Sequence, residues 1–473
     1  MATASAPRQQ IENPQPLAAV PNKAPNRKKF VRLTLWPLVA ATFFMVSGGT
    51  YGTEEIVHGA GYGRAILILL LTPLLWSLPT AFMIGELSSA LPFEGGYYAW
   101  VRRGLGNFWG FQEAWLSLIA SIFDMAIYPT LFVAYLTRMF PWFQQGNRGW
   151  WVALAVVVAC AALNIAGVKV VSLTSLWLFF ALSAPFVIIV CLAPFKVDAL
   201  VNAVTTPTTS TVDILGGLLI CMWNYMGWDN ASTIATEVER PQRTYPRAML
   251  VAVCIVAVSY IVPFAALWMT GLKRTAWETG SWADIAGLLG GPLLRIGVVL
   301  GGMISAFGMF NCLVMSYSRL PLAMAQDGML PSVFGKLQKK SRAPWVAIIV
   351  LAMGWAMCLG LGFARLVTLD IFLYGASLLL EFIALAVLRF REPDLPRPFK
   401  VPGGLFGAIA IGIPPALLLG FSVVRSEHES ILGMSSFAFG MILIGAGVVA
   451  YVINHLLKPA GWSAPAEKPQ PAA

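Results

Sequence analysis

The stretch Met45-Val-Ser-Gly-Gly-Thr-Tyr-Gly-Thr-Glu-Glu55 places three glycines and two acids in the middle of an apolar segment. A second stretch, Met222-Trp-Asn-Tyr-Met-Gly-Trp-Asp-Asn230, interrupts another apolar segment in the same way. Each contains a glycine followed two positions later by an acid, in Gly52-Thr-Glu54 and in Gly227-Trp-Asp229. Unwound backbone inside a membrane is tolerated only where it lines a cavity or is buried in protein. We therefore predict that both stretches are helix breaks that line one internal binding site.

Composition places the chain in a membrane. Of its 473 residues, 58% are hydrophobic and 11% are charged, whereas a soluble domain carries roughly 25% charged residues. A soluble surface needs more charge than this to cover it. Collagen-like, coiled-coil, disordered and disulfide-scaffold classes are excluded by the same figures. The sequence therefore predicts an all-α polytopic membrane protein.

About twelve apolar segments lie between two polar tails, residues 1–33 and 457–473. Their approximate positions are 36–57, 64–91, 107–140, 149–168, 174–194, 212–236, 247–271, 291–324, 345–362, 366–390, 405–424 and 432–456. Each break opens a block of five segments, in residues 34–195 and 207–390, and two further helices follow in 403–456. Both tails have the composition of disordered segments, and no signal peptide is expected at Met1.

The basic residues predict the topology. An even number of spans puts both tails on one side of the membrane, and most of the 32 Lys and Arg residues lie in the tails or in loops on that side. By the positive-inside rule, both termini are cytoplasmic. The net charge of +10 is then a consequence of topology, and nucleic acid is not expected as a partner.

Acidic residues within the apolar segments are the strongest chemical signal. Those considered are Glu54, Glu55, Glu86, Glu113, Asp124, Asp229 and Glu381. An ionised carboxylate in mid-membrane costs several kcal/mol unless it is paired, solvated or protonated. Because no Lys or Arg lies in the middle of a segment, the excess charge must be neutralised by protons, by a cationic substrate, or by both in turn. Glu86 and Glu113, near segment ends, favour structural roles, and Glu381 could be satisfied by Arg389.

Three positions combine an acid with a feature that favours binding. Glu54 and Asp229 stand beside the breaks, and Asp124 is followed one helical turn later by Tyr128 on the same face. Trp223 and Trp228 flank the second break, and an ammonium over an indole face gains roughly 0.5–2 kcal/mol. The alternative is two kinked helices packed through small residues, with tryptophans at the membrane interfaces.

Other chemistry is not indicated. The six cysteines form no CxxC pair, and the three histidines fit no ligand spacing. Neither a Ser-His-Asp nor an HExxH constellation is present. We expect no metal, no other cofactor and no enzymatic activity.

Several motifs resemble those of the amino acid–polyamine–organocation superfamily. They are Val46-Ser-Gly-Gly-Thr-Tyr-Gly-Thr-Glu-Glu55, Phe93-Glu-Gly-Gly-Tyr97, Phe108-Trp-Gly-Phe-Gln112, Asp124-Met-Ala-Ile-Tyr-Pro129, Glu237-Val-Glu-Arg-Pro241 and Arg389-Phe-Arg-Glu-Pro-Asp-Leu-Pro-Arg-Pro-Phe-Lys-Val-Pro402. Within the superfamily, the sequence is most similar to the polyamine uptake transporters related to plant L-type proteins. The resemblance spans roughly residues 34–456.

The resemblance implies a five-plus-five inverted repeat with broken helices 1 and 6, the LeuT-like fold, and proton-coupled uptake by alternating access. It places the substrate between the two breaks, beside the backbone of Gly48, Gly49, Thr50, Gly52 and Gly227. Trp223 then matches a tryptophan that stacks on the substrate. Asp229 matches an acid linked to coupling, a role also expected here for Glu55 and Glu381.

Glu54 departs from the superfamily pattern. Amino-acid transporters often have Gly-Ser-Gly at the first break, where backbone N–H groups hold the substrate carboxylate. Glu54 takes the place of the third glycine, so the protein itself would supply the anion and face a substrate ammonium. A coupling or structural role for Glu54 is the alternative. The fifth segment also lacks the lysine that some proton-coupled relatives carry.

These features predict proton-coupled uptake of polyamines or similar organic cations across the cell membrane, with small cations, protons and lipid as the partners. The alternative within transport is an amino acid permease, symporter or exchanger, with cationic amino acids among its candidate substrates. A channel or a transport-inactive sensor is the alternative from another class. No cysteine lies in a predicted outer loop, so no disulfide-linked accessory subunit is expected.

Overall fold

The computed structural model describes residues 33–93, 95–167, 174–196, 212–428, 430–431 and 433–456. The tails predicted to be disordered, 1–33 and 457–473, lie outside these ranges except for Leu33. The described helices are α1 (Leu35–Val46), α2 (Glu54–Ala60), α3 (Tyr62–Thr72), α4 (Leu78–Ala90), α5 (Tyr97–Leu105), α6 (Asn107–Met139), α7 (Arg148–Ala166), α8 (Thr174–Leu192), α9 (Ile214–Asn224), α10 (Pro241–Trp268), α11 (Ser281–Gln326), α12 (Trp345–Met357), α13 (Phe363–Arg391), α14 (Gly404–Ala410), α15 (Ile413–His428) and α16 (Ser436–Leu456).

Shorter elements connect these helices. A π-helical turn (Pro73–Ser77) joins α3 to α4, and an antiparallel pair of two-residue strands, β1 (Ser430–Ile431) and β2 (Met434–Ser435), precedes α16. The 3-10 helices are Pro141–Gln144, Ala193–Phe195, Trp228–Glu237, Arg274–Ala276 and Ser332–Gly335. Helix α11 is kinked at Gly291, where φ is +72°.

Eight helical stretches in the described part of the chain are long and apolar enough to cross a membrane. They are Tyr62–Ala90, Asn107–Met139, Arg148–Ala166, Pro241–Trp268, Ser281–Gln326, Phe363–Arg391, Gly404–Val424 and Ser436–Leu456. Leu35–Val46, Phe179–Phe195 and Trp345–Met357 are shorter apolar helices. The protein is therefore a nearly all-helical, polytopic membrane protein, and the number of twelve spans stays a prediction.

Burial divides the helices into a centre and a periphery. About two thirds of the most apolar part of α6, α11 and α13 is buried (67% in each), whereas only 17% of that part of α16 is buried. Exposed Val, Ile, Leu and Met side chains on α16 would be unfavourable in water, and they are typical of a helix surface that contacts lipid tails. The three central helices therefore surround the part of the protein where a polar site can be shielded from lipid.

The two interruptions identified in the sequence are present as breaks between helices. Between α1 and α2, Gly48, Gly49 and Gly52 all have positive φ (+63°, +100° and +85°). Gly227, between α9 and the 3-10 helix Trp228–Glu237, has φ +85°. A side chain on Gly48 would overlap Met309 and Ser305, so both the backbone conformation and the packing require glycine there.

Side chains satisfy the backbone groups that the first break leaves without helical partners. The Ser305 hydroxyl donates to the Gly48 carbonyl (2.5 Å), and the Trp282 Nε1–H donates to the Thr50 carbonyl (3.1 Å). The Asn224 amide donates to the Gly52 carbonyl (3.3 Å), which ties the first break to the end of α9. The breaks are thus buried in protein, as an unwound segment in a membrane must be.

The bundle has two ends, which we name after residues that pair there. The Glu278 end carries 140–147 and 269–280, where Arg138 pairs with Glu278 (2.7 Å) and with Asp284 (2.8 Å). The Glu86 end carries α5 and the segments 327–344 and 392–403, and there Arg397 pairs with Glu86 (3.3 Å). Helix α6 runs from the Glu86 end to the Glu278 end, and α13 runs beside it in the opposite direction.

Candidate functional site

Asp124, in the middle of α6, is the centre of a buried polar cluster. Its Oδ1 accepts hydrogen bonds from the Tyr128 hydroxyl (2.9 Å) and from Trp223 Nε1–H (3.2 Å). Its Oδ2 accepts from the hydroxyl of Tyr317 on α11 (3.2 Å). These donors are neutral, so they orient the carboxylate without cancelling its charge. The structure thus brings together three residues predicted from the sequence, Asp124, Tyr128 and Trp223, and adds Tyr317.

Aromatic rings enclose this carboxylate. The Trp223 and Tyr128 ring centroids lie 6.1 Å apart, and Phe363 packs edge-on against Trp223 at 5.6 Å. Trp223 is 5% exposed, so the cluster is closed to solvent. Indole and phenol faces beside a carboxylate form an environment that attracts an organic ammonium group through both charge and cation–π contact.

Asp370 on α13 adds a second carboxylate, which was not among the residues predicted from the sequence. Its side chain is buried, and neither of its oxygens has a hydrogen-bond partner among the described residues. It interacts electrostatically with both Asp124 and Asp229. The signal was present in the sequence, since Asp370 is an acid inside an apolar segment. Two buried acids with neutral partners or none leave negative charge that a bound cation can offset.

Asp229 is held at the second break by a tyrosine. Its Oδ1 accepts a hydrogen bond from the Tyr374 hydroxyl (2.6 Å), and the Gly227 N–H donates to the same hydroxyl oxygen (3.2 Å). Trp228, predicted as a substrate neighbour, is fully buried and donates to the Tyr225 carbonyl (2.7 Å). The indole N–H of Trp228 therefore forms its hydrogen bond within the second break itself.

Glu54 and Glu55 face the Glu278 end. Glu54 Oε1 accepts hydrogen bonds from the Tyr135 hydroxyl and from the Gly280 N–H (3.0 Å for the latter). Glu55 Oε1 accepts from the N–H and the hydroxyl of Thr279, both at 3.0 Å. None of these bonds joins Glu54 to Asp124, Tyr128 or Trp223. The first break therefore directs its two acids to the segment 278–281.

The remaining residues of the first break use their polar groups within the protein. The Gly49 N–H donates to the Ser47 hydroxyl (3.1 Å), and the Thr50 hydroxyl donates to the Ser259 carbonyl (2.9 Å). A side chain at Gly52 would lie 3.3 Å from the Trp223 ring. The backbone of Gly52 is thus the part of the first break that approaches the aromatic cluster.

From the sequence, an ion pair between Arg389 and Glu381 was possible. In the structure, Arg389 has a different partner. Arg389 forms a two-pronged ion pair with Glu86, which also accepts from the Val401 N–H (2.8 Å). Glu86 therefore has the structural role that its position favoured. Glu381 is buried, and neither of its oxygens has a hydrogen-bond partner among the described residues.

A cavity of about 730 Å³ opens at the Glu278 end, between α6, α7 and the connection from α12 to α13. Its lining includes Thr130, Thr137, Gln144, Asn147, Leu359 and Gly360. Thr130 lies two residues beyond Tyr128, and Gly360 lies three residues before Phe363. The cavity is therefore close in the chain to two of the rings around Asp124, but neither ring is part of its lining.

Known proteins similar to this chain are transporters. A family model described as amino acid permease matches residues 39–446. The chain is 33% identical to polyamine transporter RMV1 of Arabidopsis thaliana over 451 residues, which cover 94% of this chain and 89% of that protein. It is 34% identical to polyamine transporter PUT1 of Oryza sativa subsp. japonica over 413 residues, 87% of this chain and 77% of that protein.

A bacterial relative carries a different name. Over 383 residues, the chain is 24% identical to serine/threonine exchanger SteT of Bacillus subtilis (strain 168), which covers 78% of this chain and 84% of that protein. The family match spans both helix breaks and the buried carboxylates between them. The chain therefore belongs to the amino acid permease family of the amino acid–polyamine–organocation superfamily, whose members are membrane transporters.

Proposed function

We propose that the protein takes up polyamines or similar organic cations, and that a proton gradient drives this uptake. The observation that carries this proposal is the buried carboxylate of Asp124, which is bound by Trp223 and Tyr128, together with that of Asp370, which interacts electrostatically with Asp124 and Tyr128. The charge of a buried acid pair without basic partners is offset by a cation. A polyamine supplies ammonium groups and no carboxylate, so nothing in it is repelled by the pair.

The polyamine transporters among the relatives support the same substrate class. The alternative is an amino acid permease, symporter or exchanger, which the likeness to the serine/threonine exchanger favours. An amino acid would bring its own carboxylate beside Asp124 and Asp370. The cluster disfavours that arrangement unless another group offsets the charge.

We infer a twelve-span arrangement with two inverted five-helix repeats, over 34–195 and 207–390, followed by two helices in 403–456. The breaks after α1 and after α9, each near the start of its proposed repeat, support this arrangement. The Glu86 end is assigned to the cytoplasm because it carries many basic residues, among them Arg102, Arg103 and Arg389. Both termini are then cytoplasmic in a cell-membrane protein.

Alternating access is supported by the two closed ends. At the Glu278 end, the Gly280 N–H and the Trp282 indole hold the first break. At the Glu86 end, Arg389 and Arg397 hold Glu86. Asp124 and Trp223 are buried between these two ends, so the described residues enclose the site, as a carrier with both sides closed requires.

We assign proton coupling to Asp229, Glu381 and Glu55, as the sequence predicted, because each is an acid outside the Asp124–Asp370 pair. The prediction that Glu54 faces the substrate stays a prediction. The hydrogen bonds of Glu54 to Tyr135 and Gly280 support its alternative role as a coupling or structural acid at the Glu278 end.

Uptake by purified protein in liposomes tests the proposal. Labelled putrescine, spermidine, arginine and leucine are compared with an inward proton gradient, with a sodium gradient, and with neither. We expect saturable polyamine uptake driven by the proton gradient. Asp124→Asn should lower it by about tenfold or more, since a charged hydrogen bond contributes about 1.5–3 kcal/mol.

Asp394→Asn is the matched control, because Asp394 is an exposed acid after the end of α13. It should leave uptake unchanged. Leucine uptake without any polyamine uptake would overturn the proposed substrate class. Polyamine uptake driven by sodium at constant pH, with no effect of protons, would overturn the proposed coupling.

A further inference from the structure

The two central helices carry acids at the same interval. On α6, Glu113 and Asp124 are eleven residues apart, and on α13, Asp370 and Glu381 are also eleven residues apart. The rise of an α-helix makes this interval about 16 Å. All four side chains are buried. Because the helices are antiparallel neighbours, Glu113 and Glu381 lie toward the Glu86 end, and Asp124 and Asp370 lie toward the Glu278 end.

Two serines fix the relative position of α6 and α13 near Glu113 and Glu381, the two acids closer to the Glu86 end. The hydroxyls of Ser117 and Ser377 lie 3.0 Å apart, and Ser377 also donates to Glu113 Oε1 (2.8 Å). Ser117 is one turn beyond Glu113, and Ser377 is one turn before Glu381. Glu113 and Glu381 are therefore brought to the same level, and they interact electrostatically.

This deeper pair is short of partners. Both oxygens of Glu381, and Oε2 of Glu113, have no hydrogen-bond partner among the described residues, although both side chains are fully buried. An unpaired polar atom in an apolar interior costs a few kcal/mol. Oxygens left open in this way can accept hydrogen bonds from a ligand that brings donors and positive charge.

Asp229 interacts electrostatically with the acids of both pairs. It interacts with Asp124 and Asp370 on one side and with Glu113 and Glu381 on the other. The hydroxyl of Tyr374, one turn beyond Asp370 on α13, holds it in that position. The protein thus places carboxyl groups at three successive levels along the α6–α13 interface.

We infer that Glu113 and Glu381 form a second, deeper cation site that receives the far ammonium group of a polyamine with three or more amines. Asp124 and Asp370 hold the near ammonium group, and Asp229 faces the amine between them. Asp229 and Glu381 keep the coupling role proposed above, because each would exchange its proton for an ammonium group of the substrate. This inference rests on the proposed function. Putrescine, with four methylene groups between its two amines, is too short to span both pairs and occupies only the first.

If this deeper site exists, substitutions of Glu113 and Glu381 should weaken the binding of long polyamines and leave the binding of short ones unchanged. Calorimetry on purified wild type, Glu381→Gln and Glu113→Gln compares the binding of putrescine with that of spermidine. Each variant should weaken spermidine binding by about tenfold, the loss of one charged hydrogen bond. Putrescine binding should stay unchanged. Glu392→Gln is the matched control, because Glu392 pairs with Arg103 outside the interface (2.8 Å) and should bind both ligands normally.

Wild type alone provides a second measurement, which does not depend on the variants folding. Acetylation of one terminal amine of spermidine removes the far charge, so the acetylated form should bind about as weakly as putrescine. Equal binding of spermidine and its acetylated form would overturn the deeper site. So would variants that bind both polyamines normally and lose only the proton dependence of uptake. If wild type bound no polyamine at all, the proposed function would fail instead.

Discussion

At the scale of single residues, Trp223 provides the clearest test of substrate contact. Its ring faces Tyr128, while its N–H donates to Asp124. Trp223→Ala removes both the ring face and the donor, and we expect the KM of polyamine uptake to rise by about tenfold. Trp223→Phe keeps a ring and should raise it less, since cation–π contact is worth about 0.5–2 kcal/mol.

Calorimetry separates these effects from altered folding. Trp36→Ala is the control, since Trp36 is 57% exposed on α1 and away from the site. Unchanged polyamine binding by Trp223→Ala would mean that the residue only packs against Phe363 and Tyr128.

Local spacing in the sequence predicted part of this cluster. Asp124 and Tyr128 are one helical turn apart, so their hydrogen bond follows from helix geometry alone. Tyr317 and Asp370 reach the same site from α11 and α13, and such contacts depend on packing between distant parts of the chain. The partner of Arg389 could not be predicted for the same reason. Arg389 does not pair with Glu381 on its own helix but with Glu86, which is about 300 residues away in the chain.

At the scale of elements, the first break depends on Gly48. Its φ is +63°, and an added methyl group would overlap Met309 and Ser305 on α11. Gly48→Ala should therefore destabilise the protein by several kcal/mol, because both backbone strain and overpacking oppose it. Thermal unfolding of the purified protein measures the effect.

Gly146 offers a matched control for that substitution. It also has positive φ (+58°), but a methyl group there meets nothing within 4 Å. Gly146→Ala should cost only about 1 kcal/mol, the strain of the backbone alone. Equal losses in the two variants would show that contact with α11 does not explain the glycine at 48.

The breaks themselves could be predicted because glycines and acids are conspicuous in an apolar run. What the sequence could not give was the direction of their side chains. Glu54 follows the first break as predicted, yet its carboxylate is bound by Tyr135 and Gly280. The segment 278–281 is more than 200 residues away in the chain, and only the fold brings it to α2.

At the scale of the whole molecule, the Glu86 end is held by one buried acid and two arginines. Glu86 is fully buried and pairs with Arg389 and Arg397. Glu86→Gln leaves both guanidinium groups without their counter-charge, so we expect a loss of about 3–5 kcal/mol in stability. The fall in the midpoint of thermal unfolding measures this loss.

Glu392→Gln tests whether burial is the cause. The ion pair of Glu392 with Arg103 is partly exposed, and its removal should cost no more than about 1 kcal/mol. A Glu86→Gln protein as stable as Glu392→Gln would contradict the view that the buried ion pairs hold this end together.

The buried carboxylates Asp124 and Asp370, which have no basic partner among the described residues, also have an electrical consequence. A carrier of the proposed kind changes the side from which its site is accessible twice in each cycle, once loaded and once empty. When loaded, the ammonium charges cancel those of the acids, and the field acts on little net charge. When empty and ionised, the site carries negative charge, on which a potential of 100 mV exerts about 2.3 kcal/mol per charge. In the proposed cycle, the membrane potential therefore acts mainly on the return of the empty, ionised carrier.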